Sequence, residues 1–179
     1  MNLKKYYKLA ISTAIYPNQG KNLQYPLLGL IGEIGEVAEK IKKYIRDDNG
    51  TMTERRKEQI KNELGDVIWY IASICRELKL NFTYINRYSE NDKYMTPDKI
   101  LDIIADMTNC FIELNSMVPF FNNKIYREAS EHIMQILFLD IAQICDLYNI
   151  CIEDVLESNI KKLLDRKSRN VIRGDGDDR

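Results

Sequence analysis

Apolar residues recur at spacings of three and four along almost the whole chain, and sustained alternation of apolar and polar residues is absent. That period matches the turn of an α-helix and not the two-residue pleat of a strand. Only 8 glycines and 4 prolines are available to interrupt 179 residues. The pattern therefore predicts an all-α fold, with helices over 3–14, 27–46, 54–79, 97–117, 125–148 and 152–167. The breaks between them are legible as "YPNQGKNLQYP", "DDNGTMT", "SENDKYMTPDK" and "VPFFNNK". Thr53 or Thr51 is placed to cap the third helix, and Thr96 the fourth, with Pro97 at its first position. The tail "RGDGDDR" is polar and glycine-containing; on its own it reads as disordered.

The length suits one domain over 1–179 with a single sizeable core. A net charge of −1 leaves no basic excess to draw in a nucleic acid polymer. No apolar run approaches the ~20 residues of a membrane span, and "MNLKKYYKLAIS" lacks the apolar segment of a signal peptide. A cytoplasmic location is expected. The four cysteines, Cys75, Cys110, Cys145 and Cys151, form no C-x-x-C pair and mostly sit in apolar helical patterns. They read as buried, reduced thiols. The single histidine, His132, argues against zinc hydrolases and carboxylate–histidine di-iron bundles, which draw on several. It is expected on the surface or in packing.

One echo recurs at an interval of seventy residues: "IASIC" at 71–75 and "IAQIC" at 141–145. It raises a duplicated helical hairpin as one reading and coincidence in an isoleucine-rich chain as the other. In the duplicated reading, Ile133 and Ile136 stand where the first copy has Glu63 and Asp66.

The chemistry lies on two of the helices. In "LLGLIGEIGEVAEKIKKYIRD", with Glu33 at zero on a helical wheel, Leu30, Ile34, Val37 and Ile41 fall between about 40° and 100°. Glu36 falls near about −60° and Lys40 near about −20°, so the acidic pair borders the apolar face. In "KEQIKNELGDVIWYIASICREL", Glu63 and Asp66 border Ile60, Leu64, Val67, Ile71, Ile74 and Leu78 in the same way, with Tyr70 beside them. Packed antiparallel, the two helices bring both acidic edges toward one rim. Carboxylates gathered there repel unless a cation neutralises them. An all-oxygen set suits a hard ion, Mg²⁺ or Mn²⁺. The competing reading is a pair of solvated helix edges. Gly29, Gly32 and Gly35 each cost a helix about 1 kcal/mol relative to alanine. That cost predicts close backbone approach to another helix or a ligand.

Several segments together resemble the MazG-like, all-α nucleoside triphosphate pyrophosphohydrolases: "TAIYP" (13–17), "YPLLGLIGEIGEVAEKIKKYIRD" (25–47), "ELGDVIWYIA" (63–72) and "NIKKLLDRKSRNVIRGDGDDR" (159–179). The resemblance covers roughly 3–85 and 150–179. It departs at Gly32, where the family often has a further glutamate, and at about 87–149, which reads as an inserted helical pair in a bundle of this type. It implies Mg²⁺ held by Glu33, Glu36, Glu63 and Asp66, with hydrolysis of a nucleoside triphosphate to monophosphate and pyrophosphate. Glu33 or Glu36 would accept the proton of the attacking water. Lys40 and Lys43 would face the triphosphate, or act simply as salt-bridge partners of the glutamates. Lys162 and Arg166 would contact phosphates and Asn159 the sugar or base. Arg169, Gly174, Gly176, Asp177 and Arg179 match the family's terminal motif, which would close over nucleotide at about 170–179. Trp69 would stack on a base or serve a core or interface. The family also implies a homo-oligomer, most simply a dimer, although the inserted helices could occupy a partner's space. The base stays open among dUTP, dCTP, other canonical or damaged dNTPs, and guanosine alarmones. A non-catalytic nucleotide sensor and a plain interaction bundle are the alternatives to an enzyme.

Overall fold

The structure, a computed structural model, describes residues 1–84, 100–120 and 123–171. Six helices account for most of them: α1 (Leu3–Thr13), α2 (Gln24–Asp47), α3 (Glu54–Leu78), α4 (Ile100–Met117), α5 (Lys124–Leu147) and α6 (Ile152–Ser168). A short 3-10 turn, Phe82–Tyr84, follows α3, and another, Val118–Phe120, follows α4. No strand occurs among the described residues. The ends fall within a few residues of those the periodicity predicts. The second helix begins earlier, at Gln24, because Pro26 lies in its first turn, where no backbone N–H is needed. Thr53 caps α3, its hydroxyl accepting from the Arg56 N–H at 3.2 Å. The helix then stops at Lys79, in left-handed conformation (φ 56°), as Leu80 N–H returns to the Cys75 carbonyl at 2.8 Å. The expected start of the fourth helix, with Thr96 and Pro97, lies outside the described residues.

Helices α2 and α3 form a hairpin around the stripes read from the sequence. Leu30, Ile34, Val37 and Ile41 are buried on one side, and Ile60, Leu64, Val67, Ile71 and Ile74 on the other. Each such side chain contributes about 1.5–3 kcal/mol by leaving water. Helices α4 and α5 form a second hairpin that packs on α2 and α3. The two copies of the echo point into one continuous core, with Ile71, Ile74 and Cys75 in α3 and Ile141, Ile144 and Cys145 in α5 all buried. Cys110 is buried too, whereas Cys151 is exposed just before α6. His132 is exposed on α5. No single helix among the described residues is long and apolar enough to cross a membrane.

Two contacts fix the remaining helices against α3. The Trp69 indole N–H donates to the Ala10 carbonyl (3.2 Å) and to Thr13 Oγ1 (3.1 Å), tying α1 to α3. Trp69 is half-buried and packed against the core. Gly65 lets α6 approach: a Cβ there would lie 2.8 Å from Asn159 Cβ. Of the three α2 glycines, only Gly29 is closely approached. A Cβ on it would meet the Tyr70 ring at 2.0 Å, whereas at Gly32 and Gly35 nothing lies within 4 Å among the described residues. Close approach of a protein group is thus seen at Gly29 and not at Gly32 or Gly35 among the described residues.

The second hairpin carries a titrating weak point. Asp140 is 4% exposed and its Oδ2 has no hydrogen-bond partner among the described residues. Burial, then the charge of Asp106, pushes its carboxyl from the ordinary 3.8 up to about 8. The folded state therefore keeps a proton that the unfolded chain releases, and stability falls as pH rises from about 4 to about 8. Asp140→Asn removes that proton from the balance. Urea midpoints across this range are expected to decline less steeply in the variant, with its largest relative gain above pH 8. Parallel curves for the two proteins would mean that Asp140 ionises without penalty.

Candidate metal centre

The α2–α3 hairpin brings three of the four predicted carboxylates together. Glu33, Glu63 and Asp66 each offer a carboxylate oxygen, and these oxygens lie within 4.8 Å of one another. Glu63 is buried and the other two are half-buried. Glu36 is not in this set. It lies one turn along α2, its side chain 51% exposed, with a carboxylate oxygen 3.6 Å from Lys40 Nζ. Three oxygens at this separation suit one hard cation, which takes oxygen ligands at about 2.0–2.6 Å. The electrostatics support that fit. Burial first, then Asp66 and Glu63, pushes the Glu33 carboxyl from 4.5 up to about 8; Lys162 pulls it down and Glu36 adds the smallest push. Repulsion of this kind is what a cation relieves.

Lysines partly offset the charge. Lys40, nearly buried, crosses from α2 to Glu63 at 3.0 Å. Lys43 pairs with Glu39 at 3.0 Å. From α6, Lys162 Nζ sits 2.5 Å from Asp66 Oδ2, and Asn159 Nδ2 donates to Asp66 Oδ1 at 2.8 Å. Asn159 is 2% exposed, and its Oδ1 accepts from the Tyr6 hydroxyl at 2.9 Å. Its amide is thus engaged inside the protein, against Asp66. Arg166 is buried in α6. Arg169, past the end of that helix, pairs with Asp165 at 2.8 Å. Gly174, Gly176, Asp177 and Arg179 lie outside the described residues.

Sequence reasoning missed Tyr6 and Gly65. Tyr6 reads as one more apolar position of α1, and only the docking of α1 and α6 on α3 reveals its hydroxyl partner. Gly65, between Leu64 and Asp66, carried a signal: a glycine inside a long buried helix costs about 1 kcal/mol and marks close packing.

A family profile described as the MazG nucleotide pyrophosphohydrolase domain matches residues 22–87. The matched stretch carries Glu33, Glu36, Glu63 and Asp66, while α1 and α6 lie outside it. Among curated proteins, the "Gene 37 protein" of Mycobacterium phage L5 is 35% identical over 104 residues, covering 55% of this chain and 91% of that protein. No solved structure matches significantly. The matched profile, laid over the hairpin that gathers the three carboxylates, establishes that the chain belongs to the MazG nucleotide pyrophosphohydrolase domain family.

Proposed function

We propose that the protein is a Mg²⁺-dependent nucleoside triphosphate pyrophosphohydrolase, converting a nucleoside triphosphate and water to the monophosphate and diphosphate. The observation that carries this reading is the convergence of Glu33, Glu63 and Asp66 within 4.8 Å, in a chain of this family. These three carboxylates would hold the divalent cation, Mg²⁺ with Mn²⁺ as substitute. When bound, such an ion neutralises phosphate charge and lowers the pKa of an attacking water.

The other roles follow from position. Glu36, half-exposed at the rim beside the cluster, would accept the water's proton. The water oxygen would bond to the α-phosphorus as the bond to the bridging oxygen breaks, and that oxygen would leave with the diphosphate. Lys40 and Lys162, already against Glu63 and Asp66, place positive charge where a polyphosphate would lie. No cysteine is needed as a nucleophile: burial pushes the Cys75, Cys110 and Cys145 thiols far above the ordinary range. The homodimer is proposed on the resemblance alone.

The test is a panel of ribo- and deoxyribonucleoside triphosphates and guanosine alarmones with Mg²⁺ or with EDTA, products separated by ion exchange. The expected result is monophosphate and diphosphate in equal amounts from at least one substrate, only with Mg²⁺. Release of orthophosphate would mean a different bond is cleaved. Metal-dependent binding without products would leave a nucleotide sensor.

A further inference from the structure

The Asp66 carboxylate is oriented by a chain of hydrogen bonds that begins on another helix. Tyr6, in the middle of α1, is fully buried. Its hydroxyl donates to Asn159 Oδ1 at 2.9 Å, and Asn159 Nδ2 donates to Asp66 Oδ1 at 2.8 Å. The direction of this relay follows from the groups themselves. An ionised carboxylate only accepts, so Asn159 must turn its NH₂ toward Asp66. The amide oxygen is then turned toward α1, where it needs a donor. Tyr6 supplies one at every working pH, because burial, reinforced by Asp66, raises its phenol well above the ordinary 10. The Gly65 carbonyl, 3.5 Å from the same hydroxyl, is too distant to compete. Without the hydroxyl, Asn159 Oδ1 becomes a buried acceptor with nothing to accept. The amide could then flip toward water-free packing or rotate, and either change withdraws the donor from Asp66.

The remaining valence of Asp66 matters for a cation. Asn159 uses one lone pair of Oδ1 and Lys162 one of Oδ2. A carboxylate offers about four such sites, so each oxygen keeps one direction open. The two protein donors determine which way those directions face. Gly65, next in sequence to Asp66, is what lets α6 come close enough for Asn159 to do this.

We propose that Tyr6 is a positioning residue of the metal centre, acting through Asn159 to hold the Asp66 carboxylate in the orientation that a divalent cation requires. The proposal rests on the reading of Glu33, Glu63 and Asp66 as metal ligands. Groups one hydrogen bond removed from a ligand, as Asn159 is, change metal affinity about 10–100-fold; Tyr6, one bond further out, acts by holding Asn159 in place.

The experiment is a Mn²⁺ titration, by calorimetry or electron paramagnetic resonance, of the full-length protein and its Tyr6→Phe, Asn159→Ala, double and Asp66→Asn variants. Tyr7→Phe is the control: Tyr7 is the neighbouring tyrosine of α1, stacked on Phe82 and outside the relay. Circular dichroism checks that each variant is folded at the titration temperature. The relay predicts that Tyr6→Phe weakens Mn²⁺ binding on the order of tenfold or more, while Tyr7→Phe binds as wild type. It also predicts that the double variant is no weaker than Asn159→Ala alone, since both act through one path. Turnover by Tyr6→Phe recovers at saturating Mg²⁺. If Asp66→Asn loses Mn²⁺ binding and Tyr6→Phe does not, or if the two single effects multiply, the relay is overturned while the metal centre stands. If Asp66→Asn binds Mn²⁺ like wild type, both the metal centre and the relay built on it are overturned. Should Tyr6→Phe not fold, Asn159→Ala decides alone: unchanged Mn²⁺ affinity overturns the relay, and a tenfold loss supports it.

Discussion

Glu33→Gln and Asp66→Asn should each reduce Mg²⁺-dependent hydrolysis by on the order of a hundredfold or more, and the two should differ in what they do to stability. Glu33 carries repulsion: its carboxyl is pushed up to about 8 by burial and by its acidic neighbours. Between about 4.5 and about 8 the metal-free folded state therefore holds a proton that the unfolded chain has already given up. Stability falls as pH rises through that window, and the loss is complete above it. Glu33→Gln removes the loss, so the metal-free variant should melt higher than wild type at pH 9 and nearly level with it at pH 4. Asp66 is different, because it is the acceptor for both Asn159 and Lys162. Asp66→Asn leaves the Lys162 ammonium without its carboxylate and should lower stability modestly while abolishing activity. Steady-state kinetics at several Mg²⁺ concentrations, beside thermal melts in EDTA, separate the two effects. Activity within threefold of wild type in both variants would remove these carboxylates from the chemistry.

Gly65→Ala should cost about 1–3 kcal/mol, which is the second large effect expected. The added methyl would sit 2.8 Å from Asn159 Cβ and 3.1 Å from Asn159 Nδ2. Since the first of these atoms is fixed to the α6 backbone, α6 must move outward, and the donor to Asp66 moves with it. Metal affinity should fall together with stability. Gly32→Ala is the matched comparison: its methyl meets nothing within 4 Å among the described residues, and alanine favours the helix by up to about 1 kcal/mol. Chemical denaturation should show the two substitutions shifting the midpoint in opposite directions. If Gly65→Ala is neutral, α6 has room that the structure does not show.

These two glycines also mark what a sequence reading can and cannot reach. Periodicity places all six helices, because apolar spacing, the Thr53 cap and the polar breaks all act locally. The wheel correctly sets Glu33, Glu63 and Asp66 along matching edges, since a helix has one geometry. It cannot rank depth along those edges. Glu36 has the same angular relation to Glu33 that Asp66 has to Glu63, yet it ends up half-exposed beside Lys40, outside the cluster. That outcome depends on how far α2 slides along α3, which side-chain packing decides. Likewise a neighbouring side chain crowds Gly29, under the Tyr70 ring, while none among the described residues comes within 4 Å of a Cβ at Gly32 or Gly35. Asn159 and Lys162 were legible as one face of α6; that the face turns to Asp66 required the docking of α6 on α3. Tyr6 is the clearest omission, for a buried hydroxyl is invisible until its acceptor is in place.

The most direct measurement is calorimetric Mn²⁺ binding to the wild-type protein near pH 7 in two buffers of different ionisation heat. Burial and the acidic neighbours push the Glu33 carboxyl up to about 8, so ligation near pH 7 is expected to release its proton. The account predicts a saturable site that gives up about one proton per bound ion. It also predicts that affinity rises with pH up to about 8 and levels off beyond. Glu33→Gln should release none and bind weakly. Binding that is independent of pH, releases no proton and survives in Glu33→Gln would contradict a metal centre built on Glu33, Glu63 and Asp66.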